Sequence, residues 1–166
     1  QAENGIIICK PGGNMLTDKD YSDFIFRFEF RLTPGANNGL GIRVPLEGHA
    51  SYDGMELQIL ENTAEKYLHL KPWQYHGSVY GIAPAKRGFQ KPIGEWNAQE
   101  VIVDGRDIEV ILNGFPIVDV NLDKALEGGA MDGNEHKGAL RDTGRIGFLG
   151  HGDVLEFRNL YLKPLD

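Results

Sequence analysis

The stretch DFIFRFEFRL, residues 23–32, decides the fold. Phenylalanines occupy every second position from Phe24 to Phe30, and charged residues occupy the alternate positions from Arg27 to Arg31. Side chains two residues apart lie on the same face of a β-strand. The stretch therefore predicts a strand with one buried face and one solvated face.

The same alternation recurs along the rest of the chain. Asp104-Gly105 and Asn113-Gly114 separate neighbouring β-rich runs and are strong hairpin signals. PGANNG at 34–39 is predicted to be a turn, and only LDKALE at 122–127 is predicted to be helical. Further strands are predicted at LGIRV (40–44), MELQIL (55–60), EVIV (100–103), IEVIL (108–112), PIVDV (116–120), RIGFLG (145–150) and LEFRNLYL (155–162).

These strands predict an all-β fold, an antiparallel sandwich of two stacked sheets. Roughly ten short strands in a chain of this size suit that architecture. The 22 glycines and 8 prolines supply the frequent turns that it needs. We expect one domain over residues 1–166, with long polar surface loops at 45–54 and 127–144.

Composition excludes some classes of function. The formal net charge of −7, with no cluster of basic residues, argues against a nucleic-acid partner. No apolar window is long enough to span a membrane. Cys9 is the only cysteine, so it cannot form an intramolecular disulfide. No cofactor is predicted; a structural calcium between loop carboxylates such as Asp53, Asp132 or Asp142 stays open, although no motif signals one.

Glu56 and Gln58 of MELQIL are the first candidate site residues. They alternate with the apolar residues of the strand, so both side chains point away from the core, with Cα atoms roughly 7 Å apart. A rigid strand holds site residues well. An ordinary solvated strand face explains the pattern equally well.

Arg43 and Asn38 belong to the neighbouring segment NNGLGIRV. Alternation predicts that Arg43 points outward, where it could pair with Glu56 or bind an oxyanion. A surface ion pair is the alternative for Arg43. Asn37 and Asn38 are predicted to form the turn, and Asn38, which abuts the strand that carries Arg43, is a further substrate-binding candidate.

Aromatic and polar residues are dense in HLKPWQYHGSVY, residues 69–80. Aromatic rings beside hydrogen-bonding groups suit pyranose rings, although a membrane or partner surface, or caps of the core, are alternatives. Trp96 could be a platform or a packing residue, and His151 of GHGD could be a site residue or a turn histidine. His49 and His136 lie in polar loops and are expected to be solvated. Substrate-binding candidates from this part of the chain are Lys71, His76, Tyr80 and Trp96.

Seven segments, in order from about residue 4 to the end, resemble the 3-keto-disaccharide hydrolase domain family. That family has the concanavalin A-like lectin/glucanase sandwich, a jelly roll. Each motif is modest alone, but seven in sequence are specific. The segments are YSDFIFRFEFRL, NNGLGIRVP, GMELQILEN, HGSVYGI, KPIGEWN, LNGFPIVDV and GRIGFLGHGDVLEFRNLYLK.

The resemblance implies a concave sheet face that binds carbohydrate, lined by Arg43, Glu56, Gln58, Tyr80 and His151. It also implies a periplasmic or extracellular bacterial protein. Members of the family usually begin with a strand and a tryptophan before the segment that corresponds to NGIIIC. An N-terminal edge strand beside NLYLKPL is therefore expected to be missing.

The amide of Gln58 argues against ordinary glycoside hydrolysis, which needs two carboxyl groups. A sugar with a ketone at C3 needs only one base, because the ketone acidifies the C2 hydrogen and the C1 substituent can then leave by elimination. In this hypothesis Glu56 or His151 is the base, Arg43 stabilises the enolate oxygen, and Gln58 and Tyr80 orient the substrate. The alternatives are a non-catalytic carbohydrate-binding module and an interaction domain of a larger cell-surface protein.

Overall fold

A computed structural model describes residues 1–165 as two antiparallel β-sheets with few helices. Residues 1–165 contain two short helices, α1 (Ala50–Asp53) and α2 (Leu122–Leu126), and also 3-10 turns at Glu65–Tyr67, Pro72–Gln74 and Lys137–Leu140. The strands are β1 (Ala2–Glu3), β2 (Ile6–Cys9), β3 (Met15–Leu16), β4 (Phe24–Leu32), β5 (Asn37–Val44), β6 (Met55–Leu60), β7 (Trp96–Asp104), β8 (Asp107–Leu112), β9 (Phe115–Asn121), β10 (Arg145–Gly150) and β11 (Leu155–Pro164).

The two sheets differ in size. The larger has seven strands in the order β1-β2-β11-β4-β7-β8-β9, and the smaller has four in the order β3-β10-β5-β6. Within residues 1–165, neighbouring strands of both sheets pair antiparallel. The predicted antiparallel β-sandwich is confirmed.

The core lies between the sheets and is centred on β4. All four phenylalanines from Phe24 to Phe30 are buried, as the alternation predicts. Phe148 of β10 and Phe157 of β11 stack with ring centroids 3.6 Å apart and join the two sheets. Phe28 packs edge-on against both of these rings, so the aromatic row of β4 locks the sheets together.

The charged row of β4 faces solvent on the outer side of the large sheet. Arg27 pairs with Glu100 of β7, and Arg31 pairs with Glu156 of β11. Both arginines are more than one-third exposed, so these ion pairs contribute little to stability. This face is therefore solvated, as its alternation indicates.

The loops contain more structure than the sequence predicts. The predicted helix at 122–127 is confirmed as α2, but the polar segment 45–54 also contains α1. The predicted turn at 34–39 is wrong at its end, because Asn37 and Asn38 already pair with β6 as part of β5. The turn closes earlier, through a hydrogen bond from Ala36 N to the Thr33 carbonyl.

One edge of the large sheet bears on another prediction. β2 pairs with β11 only at residues 155–157, and among residues 1–165 the outer edge of 159–164 has no strand beside it. The missing edge strand stays a prediction, as does the single domain. No helix in this part of the chain is long and apolar enough to cross a membrane.

Candidate functional site

A pocket of about 340 Å³ lies on the outer face of the small sheet. This volume falls in the usual range for small-molecule sites. Helix α1 borders it on one side, and the loop from residue 64 to 75 borders it on the other. Its lining residues are Asn37, His49, Ser51, Tyr52, Glu56, Gln58, Leu60, Tyr67, Leu70, Gln74, Tyr80 and His151.

Glu56 lines this pocket, and its side chain crosses β5 at two glycines, its pairing partner Gly41 and the diagonal neighbour Gly39. A Cβ atom on Gly39 would lie 2.0 Å from Oε1 of Glu56 and 2.6 Å from its Cδ. The glutamate side chain thus lies flat across β5 in the space that glycine leaves. This position directs its carboxylate toward the end of β10 on the other side of β5.

Both carboxylate oxygens of Glu56 are hydrogen-bonded. Ser51 Oγ, on α1, donates to Oε2 at 2.5 Å, and Nε2 of His151 lies 2.9 Å from Oε1. An ionised carboxylate can only accept, so the histidine donates from Nε2. The glutamate is only 3% exposed, and these two donors satisfy it.

His151 follows β10 and is the more accessible member of this pair. Its side chain is 37% exposed. The hydrogen bond to Glu56 is the largest effect on the histidine and raises its pKa above 6.5, although partial burial opposes this shift. With Nε2 protonated toward Glu56, the neutral ring carries its lone pair on Nδ1. That nitrogen has no hydrogen-bond partner within residues 1–165.

Two amide side chains that line the pocket have unpaired acceptor oxygens. Oδ1 of Asn37 and Oε1 of Gln58 are buried and have no hydrogen-bond partner in the described part of the chain. Buried polar atoms are usually paired, and unpaired ones call for an explanation. Hydroxyl groups of a ligand in this pocket could donate to them.

Tyr80 reaches the pocket through a short backbone extension of the small sheet. Residues 77–80 run beside β6, with Tyr80 N donating to the Glu56 carbonyl and Gln58 N donating to the Ser78 carbonyl. Leu57 and Val79 form the bridge between them and both face the core. Tyr80 therefore shares the outward face of Glu56.

Tyr52 of α1 forms the wall nearest residues 132–136. Its ring packs against His136 with centroids 4.8 Å apart, and His136 Nε2 lies 3.1 Å from both carboxylate oxygens of Asp132. Burial, followed by the charge of Asp132, raises the pKa of Tyr52. The prediction that His136 is solvated is wrong, because it is 6% exposed. His49 is exposed, but it lines the pocket.

The prediction that Arg43 shares the face of Glu56 is wrong. Between Gly41 and Val44, β5 has one residue more than β10 opposite it, and Arg43 adopts a left-handed backbone with φ of 52°. Such a bulge breaks the alternation and redirects the side chain. Arg43 is fully buried and donates to the Gly105 carbonyl of the other sheet.

Asn38 and His76 face the interior rather than the pocket. Asn38 is fully buried, with Nδ2 3.8 Å from Cys9 Sγ. His76 packs against Phe30 with ring centroids 5.0 Å apart, and burial lowers its pKa to about 4. The predictions that these two residues bind substrate in this pocket are wrong.

Lys71 and Trp96 also lie away from the pocket lining. Lys71 is exposed, and its backbone N–H donates to Oε1 of Gln74 at 2.9 Å. Trp96 is on β7 in the large sheet, with Arg31 and Arg158 guanidinium groups 4.8 and 4.0 Å from its ring centroid. These contacts assign Trp96 to the packing alternative that its sequence left open.

The structure thus groups four predicted residues, Glu56, Gln58, Tyr80 and His151, in one pocket. Sequence reasoning missed residues contributed by α1 and the residue before it, by the loop at 64–75 and by one end each of β5 and β6. The motif HASY at 49–52 alternates polar and small residues without a recognisable spacing, so it carried no usable signal. The missed lining residues are Asn37, His49, Ser51, Tyr52, Leu60, Tyr67, Leu70 and Gln74.

Two of the acidic residues considered for calcium, Asp53 and Asp132, accept hydrogen bonds from other groups of the chain. Oδ2 of Asp53 accepts from the backbone N–H of His49 at 2.7 Å. Asp132 accepts from Asn134 N at 3.0 Å and contacts His136. Over residues 1–165, no group of three or more His, Cys, Asp or Glu side chains is arranged to hold a metal ion.

Sequence comparison relates this chain to known proteins. The family described as "3-keto-alpha-glucoside-1,2-lyase-like domain" matches residues 1–163. A 3-keto-disaccharide hydrolase from Bacteroides thetaiotaomicron is 23% identical over 93% of this chain. The chain spans 63% of the length of that relative.

Structural comparison gives the same picture of the fold. A candidate glycosyl hydrolase from Parabacteroides distasonis superposes with a TM-score of 0.88 and 26% identity, covering 98% of this chain and 88% of its own. A Bacillus subtilis protein with a galectin-like fold superposes with a TM-score of 0.60 and 12% identity, covering 95% and 88%. The second likeness shows the fold alone, and together they confirm the predicted jelly roll.

Proposed function

The chain belongs to the 3-keto-alpha-glucoside-1,2-lyase-like domain family, and from that membership we propose that it cleaves glycosides whose sugar carries a ketone at C3. The reaction is elimination followed by addition of water, with the net result of hydrolysis. The family description supports this route, because a 1,2-lyase eliminates across C1 and C2. A match to a protein named as a 3-keto-disaccharide hydrolase supports the substrate class.

The Glu56–His151 pair carries the proposal. Both oxygens of Glu56 already accept hydrogen bonds, and the residue is nearly inaccessible, so it is poorly placed to take a proton from a substrate. Nδ1 of His151 is unpaired within residues 1–165, and its ring is partly exposed at the pocket. We therefore assign the base to His151, with Glu56 orienting the ring and raising its pKa.

The proposed reaction has three steps: removal of the C2 proton, elimination and addition of water. His151 Nδ1 takes the C2 proton, and the C–H electrons form an enolate with negative charge on the C3 oxygen. When the ketone re-forms, a C1–C2 double bond appears and the C1–O bond breaks, and the departing oxygen receives the proton from His151. Water then adds its oxygen to C1 and its hydrogen to C2. The sum is one glycoside and one water converted into two hydroxyl compounds.

Neutral hydrogen-bond donors would stabilise the enolate oxygen. The Arg43 side chain points to the other sheet, so it cannot serve, and among residues 1–165 no Lys or Arg lines the pocket. The Tyr80 hydroxyl and the amide nitrogen of Gln58 share the pocket with His151. Tyrosine and glutamine side chains serve as oxyanion donors in acyl-transfer sites, where the same charge develops on oxygen.

Turnover of a 3-keto-glucoside with a nitrophenol leaving group, beside its unoxidised counterpart, tests the function. We expect nitrophenol release only from the keto sugar and, in D2O, a sugar product with deuterium at C2 beyond the spontaneous exchange. Glu56→Gln should lower kcat at least about 100-fold with folding intact, because the histidine loses its orienting carboxylate. Binding without release would favour a carbohydrate-binding module, and near-normal turnover by Glu56→Gln would remove Glu56 from the mechanism.

A further inference from the structure

Gln74 lies beside Tyr80 in the pocket and has no role in the proposed reaction as described above. Its amide nitrogen Nε2 donates to the Tyr80 hydroxyl oxygen over 3.1 Å. Both residues line the pocket and are partly exposed. Gln74 closes the 3-10 turn Pro72–Gln74, so a backbone element rather than a free loop tip carries it.

The orientation of the Gln74 amide is set by its other end. Oε1 accepts from the backbone N–H of Lys71 over 2.9 Å, and a nitrogen there could not accept that hydrogen. The group that faces Tyr80 is therefore the NH2, which can only donate. Gln74 N also donates to the Lys71 carbonyl over 3.0 Å, so the turn holds the residue from both its backbone and its side chain.

This orientation leaves the phenol proton of Tyr80 uncommitted. A hydroxyl that accepts from Gln74 must direct its own O–H elsewhere, and no acceptor for it occurs among residues 1–165. Donation from the amide also polarises the phenol and makes it a stronger donor. The hydroxyl is thus available to an oxygen atom in the pocket.

We propose that Gln74 is a positioning residue that commits the Tyr80 hydroxyl to donate to the C3 oxygen of the substrate. This inference rests on the proposed function for the identity of that oxygen. Tyr80 touches the substrate, whereas Gln74 acts only through Tyr80. The interaction strengthens as charge develops on the oxygen, so it favours the enolate over the ketone.

Gln74→Glu tests the proposal, because one carboxylate oxygen retains the bond from Lys71 N while the other reverses the bond to Tyr80. The phenol proton then goes to the carboxylate instead of the substrate. We expect kcat to fall about 100-fold in both Gln74→Glu and Tyr80→Phe, the loss typical of one oxyanion donor, with little change in KM. The double variant should lose no more than either single variant.

The pH profile separates positioning from a structural role. Once the introduced carboxyl is protonated it can donate again, so the ratio of Gln74→Glu to wild-type kcat should rise as pH falls from about 6.5 to about 4.5. Exposed His69 offers a control on the same loop, since His69→Glu adds a carboxylate outside the pocket lining. That variant should match wild-type kcat at every pH.

Each outcome decides something about the site. If the ratio of Gln74→Glu to wild-type kcat does not change with pH, or if the losses add in the double variant, the role of Gln74 is overturned. The proposed function still holds in that case, provided that wild-type protein turns over the keto sugar. If wild-type protein binds the keto sugar without turnover, the proposed function fails, and the proposed role of Gln74 in favouring the enolate fails with it. If it neither binds nor converts the keto sugar, the assignment of the C3 oxygen as acceptor is overturned too.

Discussion

At the scale of single residues, the site depends on an absent side chain as much as on those present. Glu56 is on β6 and His151 follows β10, and β5 runs between these strands. Gly39 leaves the gap across which the carboxylate meets the imidazole. The glycine in NNGLGIRV thus has a function that local strand propensity does not reveal.

Gly39→Ala should displace the Glu56 carboxylate, because the new Cβ would lie 2.0 Å from Oε1. The clash extends to Cγ of Glu56, and the displaced carboxylate is buried and hydrogen-bonded to Ser51 and His151, so we also expect the free energy of unfolding to fall by about 1–3 kcal/mol. We expect kcat for a 3-keto-glucoside to fall about 100-fold, since a shift of about 1 Å in a catalytic group has that effect. Steady-state kinetics and denaturant unfolding measure the two quantities.

A second readout identifies the cause. Without its carboxylate partner, the pKa of His151 should fall, so the acid limb of the kcat/KM profile should move to lower pH. Gly13→Ala is the control, since a Cβ there meets nothing within 4 Å. An unchanged acid limb in Gly39→Ala would show that the carboxylate does not govern the histidine.

At the scale of elements, alternation predicted the strands and failed where the backbone departs from it. The buried row of β4 and the outward pair Glu56 and Gln58 follow directly from period-two spacing. Arg43 does not, because one extra residue in β5 turns its side chain toward the other sheet. The pairing of strands β5 and β10 sets such a bulge, and neither segment alone encodes it.

The walls of the pocket were beyond sequence reasoning for a different reason. Ser51 and Gln74 are on a four-residue helix and a 3-10 turn, which are too short to show a hydrophobic period. Their distance from Glu56 and Tyr80 depends on how loops pack on the sheet. Tyr80 could be named from the resemblance, but its position opposite Glu56 needed the register of residues 77–80.

Helix α1 holds Ser51 over Glu56 because the 3-10 turn Lys137–Leu140 packs closely beside it. A Cβ on Gly138 would lie 1.8 Å from the Gly54 carbonyl oxygen, directly after α1. Gly138→Ala should therefore push α1 outward, lowering the free energy of unfolding by about 1–3 kcal/mol and reducing kcat. Denaturant unfolding and steady-state kinetics test both effects.

Gly128→Ala is the matched control for that variant. A Cβ at Gly128 meets nothing within 4 Å, so stability and kcat should stay near wild type. Equal behaviour of the two variants would mean that the contact between Gly138 and Gly54 does not position α1.

At the scale of the whole molecule, the two sheets have different tasks. The small sheet presents the pocket on its outer face, and the large sheet supports it through the shared core. His76 links the two: its Nδ1 accepts from Leu60 N of β6 at 3.3 Å, and its Nε2 lies 2.9 Å from Oε1 of Gln99 on β7. Both bonds suit a neutral ring protonated at Nε2.

This link should make the fold sensitive to acid. Burial lowers the pKa of His76 from 6.5 to about 4, while the unfolded chain keeps the ordinary value. The folded state therefore binds this proton less readily than the unfolded state. The stability that the neutral ring contributes is complete above pH 6.5 and is lost as pH falls toward 4, a loss of roughly 3 kcal/mol.

His76→Gln removes the titrating group and keeps an amide that can donate to Gln99. The variant should be less stable than wild type at pH 7, because it loses the contact with the Phe30 ring. The difference in free energy of unfolding between the two proteins should narrow by roughly 3 kcal/mol between pH 7 and pH 4, because only wild type loses stability through protonation of His76. Denaturant unfolding at each pH measures it, with His69→Gln at an exposed histidine as control. A difference that stays constant with pH would mean that His76 has the same pKa in the folded and unfolded states. Any acid sensitivity of the fold would then come from other residues.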